Sequence, residues 1–233
     1  MQTRTLILHS KAPLAGFSKS RLVDASRGLD PDRVASLCEA FLRDTLAACR
    51  AAGADELVFH YTPVTATDYF RELDPHALLE PQIDAPFGDR MRGAFARAFA
   101  RGRREAVLVV TDTPEISAAT IERAFAALAT SDAVLGPASD GGYYLIGMRQ
   151  RCDHLFEAID WSTERVAGQT RERAREAGLS LAELEPLADV DTSVDLDRLR
   201  AILARDPSLC PNTARCLATL GPRWSIEDRD RAG

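Results

Sequence analysis

Apolar positions along the chain fall into short unbroken runs separated by longer stretches with helical spacing. Leu6-Ile-Leu8 reads as a first buried strand. Val34, Leu37, Cys38, Phe41, Thr45 and Cys49 then recur at three- and four-residue steps, which predicts an amphipathic helix over 31–52 ending near Gly53. Asp30 is placed to cap that helix and Pro31 to occupy its first turn. Leu57-Val-Phe59 reads as a second strand, and strand, helix, strand in succession predicts parallel pairing through a right-handed crossover. Pro63, Pro75, Pro81 and Pro86 break any long element over 62–86, leaving room for a short helix at 67–73 and a short strand at 77–80.

Beyond them, Met91, Phe95, Ala98 and Phe99 share one face of a helix over 87–102, with Arg90, Arg92, Arg97 and Arg101 elsewhere on it. Ala106-Val-Leu-Val-Val110 is the most apolar strand candidate and suits a central parallel strand covered on both faces. A helix from Ser117 carries Ile121, Ala124, Phe125 and Leu128 on one stripe. Ala133-Val-Leu135 is the next strand, and Asp140-Gly-Gly142 reads as a turn joining it to an antiparallel partner. Helical spacing over 163–177, a strand at 179–184 and a helix capped by Thr192 follow, with Asp195 placed for a capping box. A last apolar stretch, 213–220, predicts one more helix. The expected organisation is one α/β domain over 1–221 and a polar tail over 222–233.

Length and charge narrow the function classes. The 233 residues suit one domain with a continuous core. A net charge of −6 argues against nucleic acid as a general partner. The five cysteines, at 38, 49, 152, 210 and 216, form no Cys-x-x-Cys pair and have no histidine at metal-ligand spacing, so no zinc site is predicted. Their odd number fits reduced thiols in a cytoplasmic protein. Arg4 and Lys11 flank only three aliphatic residues, which is not a signal peptide, and no apolar run approaches the ~20 residues of a membrane helix.

The candidate chemistry begins at the end of the first strand. Residues 10–21 form a loop in which Lys11, Lys19 and Arg21 can neutralise phosphate charge, while Gly16 and neighbouring small residues let backbone N–H groups approach an anion. The Walker A pattern is absent, and a plain solvated basic loop is the competing reading. In a parallel α/β sheet, ligands bind beyond the carboxyl ends of the strands. That rule brings the first loop to the same crevice as Asp112, the segment 140–144, and the pair Asp189 and Asp191. Asp112, at the tip of the central strand, is the first candidate metal ligand, because magnesium is held by one or two carboxylates plus phosphate oxygens. Either Asp189 or Asp191 can supply a second, and a capping role for each competes with that reading. Gln82 and Gly88, in a proline-rich loop leading into a helix, are candidates for reading a nucleobase. Tyr143 and Tyr144 can stack on a base or sugar, but successive strand residues face opposite sides, so one of them belongs to the core.

Six segments in order carry a resemblance to a known family: Lys11-Ala-Pro-Leu-Ala-Gly-Phe-Ser-Lys-Ser-Arg-Leu22, Phe87-Gly-Asp-Arg-Met91, Thr111-Asp-Thr-Pro114, Gly136-Pro-Ala-Ser-Asp-Gly-Gly-Tyr-Tyr-Leu-Ile-Gly147, Trp161-Ser-Thr163 and Asp189-Val-Asp-Thr-Ser-Val-Asp-Leu196. Over roughly residues 5–205 the chain resembles the bacterial glycosyltransferase-A-like family called domain of unknown function 2064, within the nucleotide-diphospho-sugar transferase superfamily. The resemblance implies a three-layer αβα domain with a Rossmann-like, mostly parallel sheet and an antiparallel hairpin. It also implies a nucleotide sugar or nucleoside triphosphate over the first loop, and Mg2+ (or Mn2+) near Asp112. Mapped residue by residue, Lys19 and Asp112 are the expected catalytic groups. Lys11, Gly16, Lys19, Arg21, Gln82, Gly88 and Arg90 are expected at the nucleotide and its phosphates. Asp140, Gly141, Gly142 and Tyr143 are expected at a sugar or small-molecule acceptor, and Asp112, Asp189 and Asp191 at the metal.

The chain departs from the family pattern at Thr113, where cysteine is usual, at Ser20, where threonine is usual, and in the less glycine-rich stretch before Arg90. The superfamily runs two reactions on one scaffold, glycosyl transfer with loss of a nucleoside diphosphate and nucleotidyl transfer with loss of pyrophosphate. The resemblance favours the first and the cationic loop the second. A nucleotide-binding sensor without turnover is a third reading, and a homodimer is left open.

Overall fold

The computed structural model describes residues 3–220; the polar tail expected over 222–233 lies outside the described residues. Among the described residues seven strands form one sheet: β1 (Arg4–Lys11), β2 (Glu56–Thr62), β3 (Leu78–Pro81), β4 (Glu105–Val110), β5 (Ala133–Pro137), β6 (Tyr143–Met148) and β7 (Leu181–Glu183). Their order is β3-β2-β1-β4-β6-β5-β7, and β6 alone runs antiparallel to its neighbours. The mostly parallel sheet with one antiparallel hairpin is therefore as expected. The second strand is longer than its apolar stretch, because His60 and Tyr61 continue the pairing with β1.

Helices α1 (Pro31–Ala51), α2 (Thr67–Leu73) and α4 (Ala118–Leu128) cover one face, and α3 (Phe87–Ala100) and α5 (Val166–Glu176) cover the other. The period-2 alternation of β1 divides its side chains between these layers: Leu6 and Leu8 enter the first, Ile7 the second. Tyr144 and Tyr143 divide in the same way. Asp30 caps α1 by accepting from the Arg33 N–H at 2.8 Å, and the Thr192/Asp195 capping box opens α6 (Ser193–Leu203).

A third apolar cluster lies beside the sheet, where α6 and α7 (Pro211–Thr219) pack on the amino-terminal half of α1. Leu22 and Val190, both fully buried, belong to it. They anchor the ends of two loops that face each other across the crevice, so this cluster sets the spacing of those loops. Asp44 of α1 ties α7 down. Its carboxylate accepts from the backbone N–H groups of Asn212 and Thr213 at 2.9 and 2.8 Å, and from both side chains as well.

Arginines on α3 and just after it have structural partners. Arg97 and Arg101 bridge to Glu80, while Arg101 and Arg103 reach Glu56 at 3.0 and 2.7 Å, tying α3 and the loop after it to β2 and β3.

Candidate active site

The carboxyl ends of β1, β2, β4 and β5 and the start of β6 lie at one edge of the sheet, as their parallel and antiparallel registers require. The loops gathered there hold Lys19, Asp112 and Asp191 together. Lys19 Nζ stands 2.9 Å from Asp112 Oδ1 and 2.9 Å from Asp191 Oδ1, and donates to the Val190 carbonyl at 2.7 Å. Only 6% of the Lys19 side chain is exposed, against 52% for Asp112. Burial alone would lower the Lys19 pKa; the charges of Asp112 and Asp191 outweigh it and hold the ammonium above its usual range. Lys19 is thus a fixed cation and not a proton acceptor.

The backbone of Lys19 is left-handed, at φ 51° and ψ 42°, an uncommon conformation for a residue with a Cβ. Gly16 takes φ +72° in the same loop. Across the crevice, the Val190 N–H donates to the Asp112 carbonyl at 2.9 Å, so the acid-bearing segments are joined by backbone as well as through Lys19.

Two cavities meet at this junction. The smaller, about 440 Å³, is lined by His9, Lys11, Lys19, Arg21 and Arg90 among others. Arg21 is largely exposed, its guanidinium 3.9 Å from Asp191. The larger, about 710 Å³, takes in Asp140, Gly142, Tyr143, Trp161 and Asp189. Asp112, Asp191 and Arg21 line both, as do Phe87 and Val110. The two acids at 189 and 191 therefore part company: Asp191 holds Lys19, while Asp189 faces the larger cavity. Burial first, then the charges of Asp140 and Asp191, push the Asp189 carboxyl up to about 6.

The Gln82 amide is engaged within the protein. Its Nε2 donates to the carbonyls of His60 and Ser10 at 2.8 and 3.2 Å, and its Oε1 accepts from Arg90 at 2.9 Å. Gln82 thereby fixes the ends of β1 and β2 and aims Arg90. The near neighbour of Gly88 is Trp161: a Cβ at 88 would lie 2.7 Å from the indole nitrogen. Gly141 at φ +90° turns the β5–β6 hairpin against Glu164, whose carbonyl oxygen would be 2.1 Å from a Cβ there. Asp140 steadies the same turn by accepting the Gly142 N–H at 2.8 Å.

Sequence reasoning passed over one feature of the site, the buried pair His9 and His60. Their Nδ1 atoms are 3.0 Å apart, so one N–H serves both rings. His60 Nε2 is buried and has no partner. A proton there would be an unpaired donor, so the hydrogen-bond pattern assigns Nδ1–H to His60 and Nε2–H to His9. Burial, reinforced by nearby arginines, depresses both, His9 to about 3 and His60 to about 2. The signal was available: both are polar residues inside otherwise apolar strands, and the parallel register pairs them directly. From His9 a row of aromatic rings continues through Phe87 at 5.4 Å to Trp161 at a further 5.0 Å.

Two carboxylates sharing one ammonium are close enough to share a cation, and each leaves its second oxygen off Lys19. Among the described residues no group of three or more His, Cys, Asp or Glu side chains is arranged to hold a metal. A two-carboxylate site completed by phosphate oxygens suits magnesium or manganese chemistry, so Asp112 and Asp191 fit such an ion.

A sheet of this order, with a cationic first loop facing acids at its carboxyl edge, defines the class as a transferase of the nucleotide-diphospho-sugar transferase superfamily. The chain belongs to the bacterial family DUF2064, described as uncharacterized protein conserved in bacteria, whose sequence profile matches residues 45–163. Its fold is similar to that of a candidate nucleotide-diphospho-sugar transferase from Desulfovibrio desulfuricans G20, with 30% identity over 94% of this chain and 95% of the other, at a TM-score of 0.86. A nucleotidyl transferase from Methanothermobacter shares the fold at 18% identity, covering 88% of this chain and 99% of that one, with a TM-score of 0.58. So does Rv0371c of Mycobacterium tuberculosis H37Rv in complex with manganese, at 21% identity over 85% and 98% of the two chains, with a TM-score of 0.53. No curated protein matches the chain.

Proposed function

We propose that the protein transfers a glycosyl group from a nucleotide sugar to a small-molecule acceptor, with a divalent metal at Asp112 and Asp191. The observation that carries this reading is the Asp112–Lys19–Asp191 clasp at the boundary between a cationic and an acidic cavity. Lys11, Arg21 and Arg90 bind the phosphates on the cationic side, with Gln82 holding Arg90 in place. Lys19, permanently charged and nearly dry, stabilises negative charge on the departing diphosphate. Asp112 and Asp191 would hold magnesium or manganese, which would add to the neutralisation of that leaving group. The sugar and acceptor lie on the other side, bordered by Asp140, Gly141, Gly142 and Tyr143. In the transfer the bond from the anomeric carbon to the diphosphate oxygen breaks, and a bond to the acceptor oxygen forms. Asp189, its carboxyl pushed up to about 6 by burial, suits the role of taking the acceptor's proton. The manganese complex of a protein with this fold supports the metal, and the Desulfovibrio relative supports the donor class.

Nucleotidyl transfer is the second reading, favoured by the number of cations on the first loop and by the nucleotidyl transferase of the same fold. Incubation with magnesium, a panel of sugar nucleotides and triphosphates, and a mixed set of small acceptors separates the two. Nucleoside diphosphate release supports glycosyl transfer; pyrophosphate release selects nucleotidyl transfer and rejects the first reading.

A further inference from the structure

The His9–His60 pair has no part in the transfer proposed above, yet one of its rings forms part of the wall of the smaller cavity. His9 lines that cavity, while His60 lies fully buried behind it. Period-2 alternation along β1 turns His9 toward the same layer as Ile7, where Phe87 of α3 stands edge-on to the imidazole at 5.4 Å.

The hydrogens of the pair leave one donor over. A single hydrogen occupies the 3.0 Å gap between the two Nδ1 atoms, and it belongs to His60, whose Nε2 is buried without a partner. The hydrogen of His9 therefore sits on Nε2. His9 is only 8% exposed, and its Nε2 meets no acceptor among the described residues; unlike His60 Nε2, it is not closed off by protein. A nearly dry N–H that opens on a cavity and lacks an acceptor is completed by an oxygen of the ligand.

The charge of the cavity identifies that oxygen. Lys11, Lys19, Arg21 and Arg90 line it, and the charges of Arg90 and Lys11 reach His9 itself. Its two carboxylates, Asp112 and Asp191, are already held by Lys19. An anionic oxygen beside Nε2 would gain the imidazole hydrogen bond and the field of both cations together. A second hydrogen on His9 would have to enter the gap that the His60 hydrogen already fills, so the ring gives a hydrogen bond without adding charge.

We infer that His9 is a phosphate-binding residue, donating Nε2–H to a phosphate oxygen of the ligand, and that His60 is the positioning residue that keeps this hydrogen on the cavity side. The inference rests on the placing of the phosphates in the smaller cavity proposed above. It adds to the cations there a neutral, directional donor: the point charge of Lys11 tolerates many phosphate poses, whereas an N–H aimed by a second buried ring selects one.

The test uses the full chain and inorganic pyrophosphate, which carries no base, beside UDP, GDP, CDP and ADP. In calorimetric titration wild type should bind pyrophosphate. The His9→Phe, His60→Leu double variant should bind it about tenfold or more weakly, the scale of a hydrogen bond to an anion. Removing both rings leaves no buried orphan donor, so the variant should keep its fold, checked by circular dichroism. His9→Gln can accept from His60 and donate to the ligand through one amide, and should stay within about threefold of wild type. Histidine nitrogen NMR needs no variant: wild type should show hydrogens on His60 Nδ1 and His9 Nε2, and pyrophosphate should shift the His9 Nε2 signal without protonating Nδ1. Unchanged pyrophosphate affinity in the double variant overturns the inference, as does a His9 hydrogen on Nδ1 or a wild type that does not bind pyrophosphate. A loss seen with the nucleoside diphosphates and not with pyrophosphate moves the contact to the base and overturns it as well. Pyrophosphate held through His9 without turnover of any sugar nucleotide would reject glycosyl transfer and keep the inference; turnover with an unchanged KM in the double variant would do the opposite.

Discussion

A lysine that is nearly dry and yet firmly protonated is the residue on which the site turns. Lys19 is held by two carboxylates and a carbonyl, and its left-handed backbone persists because those three contacts over-determine it. Replacing it as Lys19→Met leaves Asp112 and Asp191 facing each other with only the exposed Arg21, 3.9 Å from Asp191, as counter-charge. The expected outcome is a stability loss of about 2 kcal/mol, the scale of a hydrogen bond to a charged group, read from a denaturant midpoint, together with loss of turnover. The His9–His60 pair makes a separate prediction about pH. Between about 3 and 6.5 the unfolded chain binds protons at these rings that the folded chain refuses, so stability rises with pH through that window and falls as pH drops below 6.5. Each ring contributes up to about 1.4 kcal/mol per pH unit. Asp189, raised from 3.8 to about 6 in the folded state, acts in the opposite sense between those two values. A His9→Phe, His60→Leu double variant isolates the pair: its urea midpoint should fall less than that of wild type between pH 7 and pH 5. That Lys19, Asp112 and the 189–191 segment meet at one crevice was legible in the sequence, because residue type and strand-end position both point there; which of Asp189 and Asp191 reaches Lys19 was not. Of the histidine pair only the two polar residues within apolar strands were visible, since their meeting depends on a register between neighbouring strands that no local pattern reveals.

At the level of elements, two short connections decide whether the crevice forms. The β5–β6 hairpin turns on Gly141, where φ is +90° and a side chain would collide with the Glu164 backbone. Gly141→Ala should destabilise the protein by about 2 kcal/mol or more, read from a urea midpoint on the purified variant. At the other side, Asp44 satisfies the first N–H groups of α7 from within α1. Asp44→Ala leaves those donors without their anionic partner, with an expected cost of about 3 kcal/mol in chemical denaturation and faster proteolysis near residue 212. The hairpin was readable from Asp140-Gly-Gly142, and the capping box from Thr192 and Asp195, because both are local chemistry. The Asp44 tie joins residues 168 positions apart, and its aspartate reads in sequence as one more surface acid of a helix.

Across the whole molecule, one apolar cluster governs the distance between the cationic loop and the acidic segment. Leu22 ends the first and Val190 sits inside the second, and both pack with α1, α6 and α7. This explains why terminal helices that contribute no side chain to the Asp112–Lys19–Asp191 clasp still position it. Fold class was legible from the succession of strands and helices, and the division of the crevice into halves of opposite sign was not, because it depends on which side of the junction each acid faces. Among the described residues no helix is long and apolar enough to cross a membrane. Metal-assisted glycosyl transfer at the clasp is tested by diphosphate release from a sugar nucleotide by wild type and by Asp112→Asn, with and without magnesium. Magnesium-dependent release should fall at least a hundredfold in Asp112→Asn while its circular dichroism and thermal midpoint stay near wild type. Near-normal turnover by a folded Asp112→Asn protein would contradict it.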